Sequence, residues 1–178
     1  MKKLFCGAAA IALCAACGVQ VTTTETTTVT EGSETISYEP SELPSKTLPE
    51  LSQALASGET TAAELVAAYQ ERIDTVDRSG PTLQSVLALN PNAMEAAAAS
   101  DQRRASGTAL GPLDGIPILL KDNIESLDPI ATTAGALALK DNVTGRDSPL
   151  VAGLRAEGAI ILGKTNLSQW ANFRSNDS

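Results

Sequence analysis

Two stretches of this chain have residue types and spacing suited to chemistry. In the first, Lys121 ends the apolar run 116–120 and opens the triplet Lys121-Asp122-Asn123. An ammonium at the rim of a buried strand is poorly hydrated. Desolvation lowers its pKa and lets the neutral amine accept a proton from a hydroxyl. The chain contains no histidine, which removes every Ser-His-Asp or Cys-His mechanism and any histidine metal site within it. Lysine is then the natural candidate for a base. The alternative is a strand-end lysine that lays its stem on apolar surface and carries its charge to water beside Asp122. The second stretch is GAIILGKT (158–165), which fits the phosphate-loop pattern G-x-x-x-x-G-K-[ST] letter for letter. In a true phosphate loop the four x positions bend so that successive N–H groups converge on phosphate. Here they are Ala159, Ile160, Ile161 and Leu162, two of them β-branched and suited to extended backbone. The residues before them read as a helix, where the motif needs a strand, so the nucleotide reading is set aside.

The elements that must position these stretches follow from periodicity. Thr47-Leu-Pro-Glu50 and Thr61-Ala-Ala-Glu64 both have capping-box spacing. The first opens a helix with Leu48, Leu51 and Leu55 on one face and Gly58 as its stop. The second opens a helix with an apolar stripe of Leu65, Val66, Tyr69, Ile73 and Val76, ending before Ser79-Gly80-Pro81. Residues 85–90 form a strand, and Asn90-Pro91 opens an Ala-rich helix to about Ser106. The run 116–120, nearly all apolar, predicts a strand buried on both faces. Asp147-Ser148-Pro149 starts a helix with Leu150, Val151 and Leu154 facing one way, and residues 159–162 form a second buried strand. Strand, helix, strand reads as a βαβ crossover.

Ahead of this lies a different kind of sequence. Lys2 and Lys3 precede a mostly apolar run from Leu4 to Ala16, shorter than the ~20 residues needed to span a bilayer and of signal-peptide length. Ala15-Ala16-Cys17-Gly18 resembles a lipoprotein box, in which Cys17 becomes the acylated first residue; an ordinary secretory leader cut near Ala16 is the other reading. Both readings imply export to the periplasm or cell envelope. Residues 18–43, rich in Thr, Ser and Glu, read as a flexible, disordered stalk. The folded part then covers 44–178. All three cysteines (Cys6, Cys14 and Cys17) lie in the leader, so nothing downstream can form a disulfide, a thiolate metal site or a thiol nucleophile. With 21 acidic residues against 13 scattered Lys and Arg, the chain has no basic stripe for nucleic acid.

Four ordered segments, SGETTAAELVAAYQERID, GPLDGIPILLKDNI, TTAGALAL and SPLVAGLRAEGAIILGKTNLSQWANFRS, closely resemble the N-terminal part of the amidase signature family. The resemblance covers about Thr47 to Ser175. It implies an α/β fold, a mixed β-sheet covered by helices, incomplete in this chain. It also implies hydrolysis of amide C–N bonds by a Ser–cisSer–Lys triad, without metal or cofactor, on small-molecule or peptide amides. Lys121 matches the lysine of the family's KDN motif and would draw the proton from the bridging serine. Both serines lie farther downstream in the family than Ser178, so residues 1–178 alone are expected to be inactive. Two alternatives share the scaffold: a non-catalytic, envelope-tethered remnant, and an amidotransferase-type protein that amidates aminoacyl-tRNA. An incomplete sheet would also expose apolar edges at 116–120 and 159–162, which favours aggregation.

Overall fold

The computed structural model describes residues 29–31, 34–36 and 43–172. The expected leader with Cys17, and most of the expected stalk over residues 18–43, lie outside the described residues. Within residues 18–43, β1 (Val29–Glu31) and β2 (Glu34–Ile36) pair antiparallel, with Val29 opposite Ile36. They belong to a separate unit that ends at Tyr38.

The second unit begins its helical layer with α1 (Leu48–Ser57) and α2 (Ala62–Arg72), started as their caps predict. Glu50 accepts from both the N–H and the hydroxyl of Thr47, at 2.6 and 2.7 Å. The Thr61 box is fully reciprocal: the Glu64 N–H donates to the Thr61 hydroxyl at 3.1 Å, and the Thr61 N–H to the Glu64 carboxylate at 2.9 Å. Leu51 and Leu55 are buried as expected, but Leu48, in the exposed first turn of α1, is not. Beyond Arg72 the chain widens into a π-helical segment, Ile73–Ser79. Asp77 in this segment accepts from the N–H groups of Ser85 (2.7 Å) and Val86 (3.1 Å), which fixes the start of β3 (Val86–Leu89). Helix α3 (Ala93–Ala105) follows.

Among the described residues three strands make the sheet, in the order β3-β5-β4, with β4 Pro117–Lys121 and β5 Ile160–Thr165. Strand β5 runs antiparallel to β3 and parallel to β4, and α4 (Pro149–Ala156) lies between the parallel pair in sequence. This is the predicted βαβ unit in a mixed sheet. Ile160 and Leu162 pack with Leu51, Leu55, Leu65 and Val66 of α1 and α2. Ile161 faces the other way, onto Leu120 and Val151. Helices therefore cover both faces of the central strand. In α4 that contact runs through Val151 and Leu154, which leaves Leu150 outside it and exposed.

The run 116–120 is not buried on both faces as its composition predicts. Among the described residues strand β4 has a partner on one side only, and Leu119 remains 37% exposed while Ile116 and Leu120 are covered. Just before it, Asp114 is fully buried and accepts two hydrogen bonds from the Arg103 guanidinium, at 3.1 and 2.6 Å. Burial pushes the Asp114 pKa up. The hydrogen bonds from Arg103 and the Leu110 N–H, with the Arg103 charge, outweigh burial and hold the carboxyl below its usual value. A depressed folded-state pKa stabilises the fold above the unfolded value of ~4, and that contribution is lost as pH falls through the folded value. Asp114→Asn is expected to cost about 2–3 kcal/mol at pH 6 by urea unfolding. The gap between variant and wild type should shrink near pH 3; a gap independent of pH would contradict this account.

Candidate active site

Strands β4 and β5 end level, with Lys121 opposite Thr165. In open α/β sheets, ligands bind beyond the carboxyl ends of parallel strands, and this is such an end. Pairing continues one step past the ladder, where the Asp122 N–H donates to the Thr165 carbonyl at 3.1 Å. The Ile124 N–H then donates to the Lys121 carbonyl at 3.0 Å and closes a tight turn over 121–124.

Lys121 itself is exposed, and its ammonium donates to the Asn166 carbonyl at 2.9 Å. The expectation of a desolvated amine is therefore corrected: Lys121 sits at the end of β4, the edge strand among the described residues. Its setting among the described residues is the solvated strand-end alternative, and a proton-relay role for it rests on family resemblance.

The neighbouring Asp122 is buried and holds the segment after the turn. Its carboxylate accepts from the Thr133 N–H at 3.2 Å and from the Thr133 hydroxyl, and its backbone carbonyl accepts from the Ala134 N–H at 3.0 Å. Ala134 has φ +50°, a left-handed conformation that costs an L-residue roughly 1–2 kcal/mol. Contacts on both sides hold it there, since the Trp170 N–H donates to its carbonyl at 2.9 Å. Such backbone strain concentrates at ligand and catalytic sites. A cleft of about 570 Å³ opens beside this segment, lined in part by Asn123, Glu125, Thr132, Ala134, Ser148 and Trp170.

The buried lysine of this region is Lys164, with no exposed surface. Its ammonium donates to the Ile124 carbonyl and, at 2.8 Å, to the Thr132 hydroxyl. Strict alternation along β5 would send Lys164 into the helical core with Ile160 and Leu162. A bulge prevents this. Ile118 pairs with Ile161 but Leu119 pairs with Gly163, so one extra β5 residue is inserted and Lys164 comes level with Leu120. The bulge thus turns Lys164 toward the loop after β4. Burial pushes its pKa below the usual lysine value, and the charges of Asp122, Asp128 and Glu125 oppose that only in part. Residues 160–165, the latter part of the phosphate-loop look-alike, are extended strand with a buried lysine, so they form no phosphate cradle. Sequence reasoning missed the positions of Asp122 and Lys164. The one available signal was a charged residue following Ile160-Ile161-Leu162 inside an otherwise apolar strand.

A mixed sheet whose parallel strands end at a lysine, a clamped loop and a cleft defines an α/β domain with its site at the strand ends. The chain belongs to the amidase family: the Amidase family model matches residues 64–178. The native peptide amidase from Stenotrophomonas maltophilia superposes with a TM-score of 0.70 at 50% identity, over 74% of this chain and 26% of that one. A Schizosaccharomyces pombe protein whose name places it among the amidases is 38% identical over 131 residues, 74% of this chain and 22% of that protein. A glutamyl-tRNA(Gln) amidotransferase component from Chloroflexus aurantiacus is 41% identical over 126 residues, 70% of this chain and 25% of that protein. The chain thus spans about a quarter of the length of these relatives.

Proposed function

We propose that the chain is the N-terminal portion of an exported amidase in which Lys121 is the catalytic lysine. The observation that carries this is the place of Lys121 at the carboxyl end of β4, in a segment 50% identical to a peptide amidase of the same fold. The nucleophilic serine attacks the amide carbon and passes its proton to the bridging serine, whose own proton goes to Lys121. Collapse of the tetrahedral adduct breaks the C–N bond, and the departing amine takes up that proton. Water then hydrolyses the acyl-enzyme by the same relay in reverse. Both serines come from the part of the domain beyond this segment. Substrates are peptide or small-molecule amides.

The test is reassembly. Residues 1–178 alone should show no amide hydrolysis above buffer, because one member of a catalytic unit without the others retains little. A chimera carrying this segment in place of the matching quarter of the S. maltophilia peptide amidase should turn over peptide amides. Turnover by 1–178 alone that vanishes on Lys121→Ala would overturn the division of the triad. A folded but inactive chimera would favour the non-catalytic remnant. The identity to amidotransferase components favours a second reading, amide transfer to aminoacyl-tRNA. The leader and the excess of acidic over basic residues favour the exported hydrolase. Cys17 is proposed as the lipid anchor: labelling with a radioactive fatty acid should be complete in wild type and absent in Cys17→Ser, and equal labelling of both would exclude it.

A further inference from the structure

We propose that Lys164 is a positioning residue for Lys121, holding the turn that follows it at the end of the sheet. The inference rests on the reading of Lys121 as the catalytic lysine. Three bonds define the turn and its support. The Ile124 N–H closes it on the Lys121 carbonyl at 3.0 Å, and the Ile124 carbonyl accepts from the Lys164 ammonium. The same ammonium reaches the Thr132 hydroxyl at 2.8 Å and so ties the turn to the strained segment that Asp122 clamps through Thr133 and Ala134. A buried ammonium is costly to desolvate even when hydrogen-bonded, and apolar side chains of similar volume are often at least as stable in such places, so stability alone does not account for a lysine here. Lys164 is also delivered to this place by a bulge that departs from regular pairing. Its stem lies level with Leu120 on the central strand, so the anchor belongs to the most buried element of the sheet. Lys121 and Lys164 occupy adjacent, parallel strands one residue out of step, and their side chains leave opposite faces. Lys164 therefore acts on Lys121 through the backbone of residues 121–124. Small displacements of a reacting group of about 1 Å cost on the order of 10²-fold in rate, which is the scale available to such a support.

Lys164→Met keeps the stem and removes the donor. In the chimera it should lower kcat by about 10- to 100-fold. Val151→Ala, which removes fully buried side-chain bulk on the same face without touching the turn, serves as the control for lost stability and should leave kcat within about twofold. In the 178-residue chain itself, Lys164→Met should speed amide hydrogen exchange at Ile124, Thr133 and Ala134 well beyond the change in α2, whereas Val151→Ala should raise exchange in both regions alike. A kcat for Lys164→Met equal to that of Val151→Ala overturns the proposal, whatever exchange shows. Indifference of the chimera to Lys121→Met would instead sink the catalytic assignment, while exchange at the three amides still reports whether Lys164 grips the turn.

Discussion

Lys121→Met in the reassembled enzyme should lower kcat/KM by at least about four orders of magnitude, with peptide amides as substrates. Members of a proton-relay unit act together, so removing one costs nearly as much as removing all. Methionine keeps the stem and deletes the amine, which in this chain is exposed and bonded to the Asn166 carbonyl. Surface substitutions away from buried networks change stability by roughly 0.5 kcal/mol or less, so the urea midpoint should hardly move. That combination separates chemistry from folding. Steady-state assays across pH, with unfolding curves on the same preparations, decide it: a tenfold loss or less would remove Lys121 from the relay.

The largest effect on stability is expected at Gly163. A Cβ built there would lie 2.2 Å from the Ala88 carbonyl oxygen and 3.1 Å from the Leu89 Cα, both backbone atoms of β3. Backbone cannot rotate away as a side chain can. Gly163→Ala must therefore push β3 off β5, breaking the pairing of Leu89 with Gly163. Overpacking costs about 1–3 kcal/mol when side chains can adjust, and this site should fall at or above the upper end. Against a typical total of roughly 5–15 kcal/mol, that is a large share. Urea unfolding of the 178-residue chain gives the answer, and a midpoint within error of wild type would show that β3 is free to shift.

Much of this architecture can be read from local patterns because the patterns are local. The boxes at Thr47 and Thr61 are closed by Glu50 and Glu64 three residues on, so helix starts need no tertiary information. The apolar residues 160–162 mark the buried strand, and Ser148-Pro149 marks the start of α4. Failures come where a neighbour distant in sequence decides the outcome. Leu119 looks like core until β4 proves to have one partner only among the described residues. The apolar run before Lys121 places its amine out of water, yet nothing among the described residues covers it, and the buried ammonium lies one strand away. No periodicity can show this, because a bulge near Leu162 reverses the alternation before Lys164. Asp122 has a similar history. Beside Lys121 it reads as a solvated neighbour, and only the return of residues 133–134 to the strand end makes it a buried clamp.

The strand at the middle of the sheet is also the last of the three to be synthesised, since β5 lies roughly 70 residues after β3. At about 5–20 residues per second, a ribosome takes roughly 4–14 s to make that stretch. Until it emerges, Leu65 and Val66 have no strand to rest on, and β3 has no partner. The nascent chain should therefore remain open to holdase chaperones through this interval, the condition a polypeptide needs if it is to be threaded through a membrane channel before it folds.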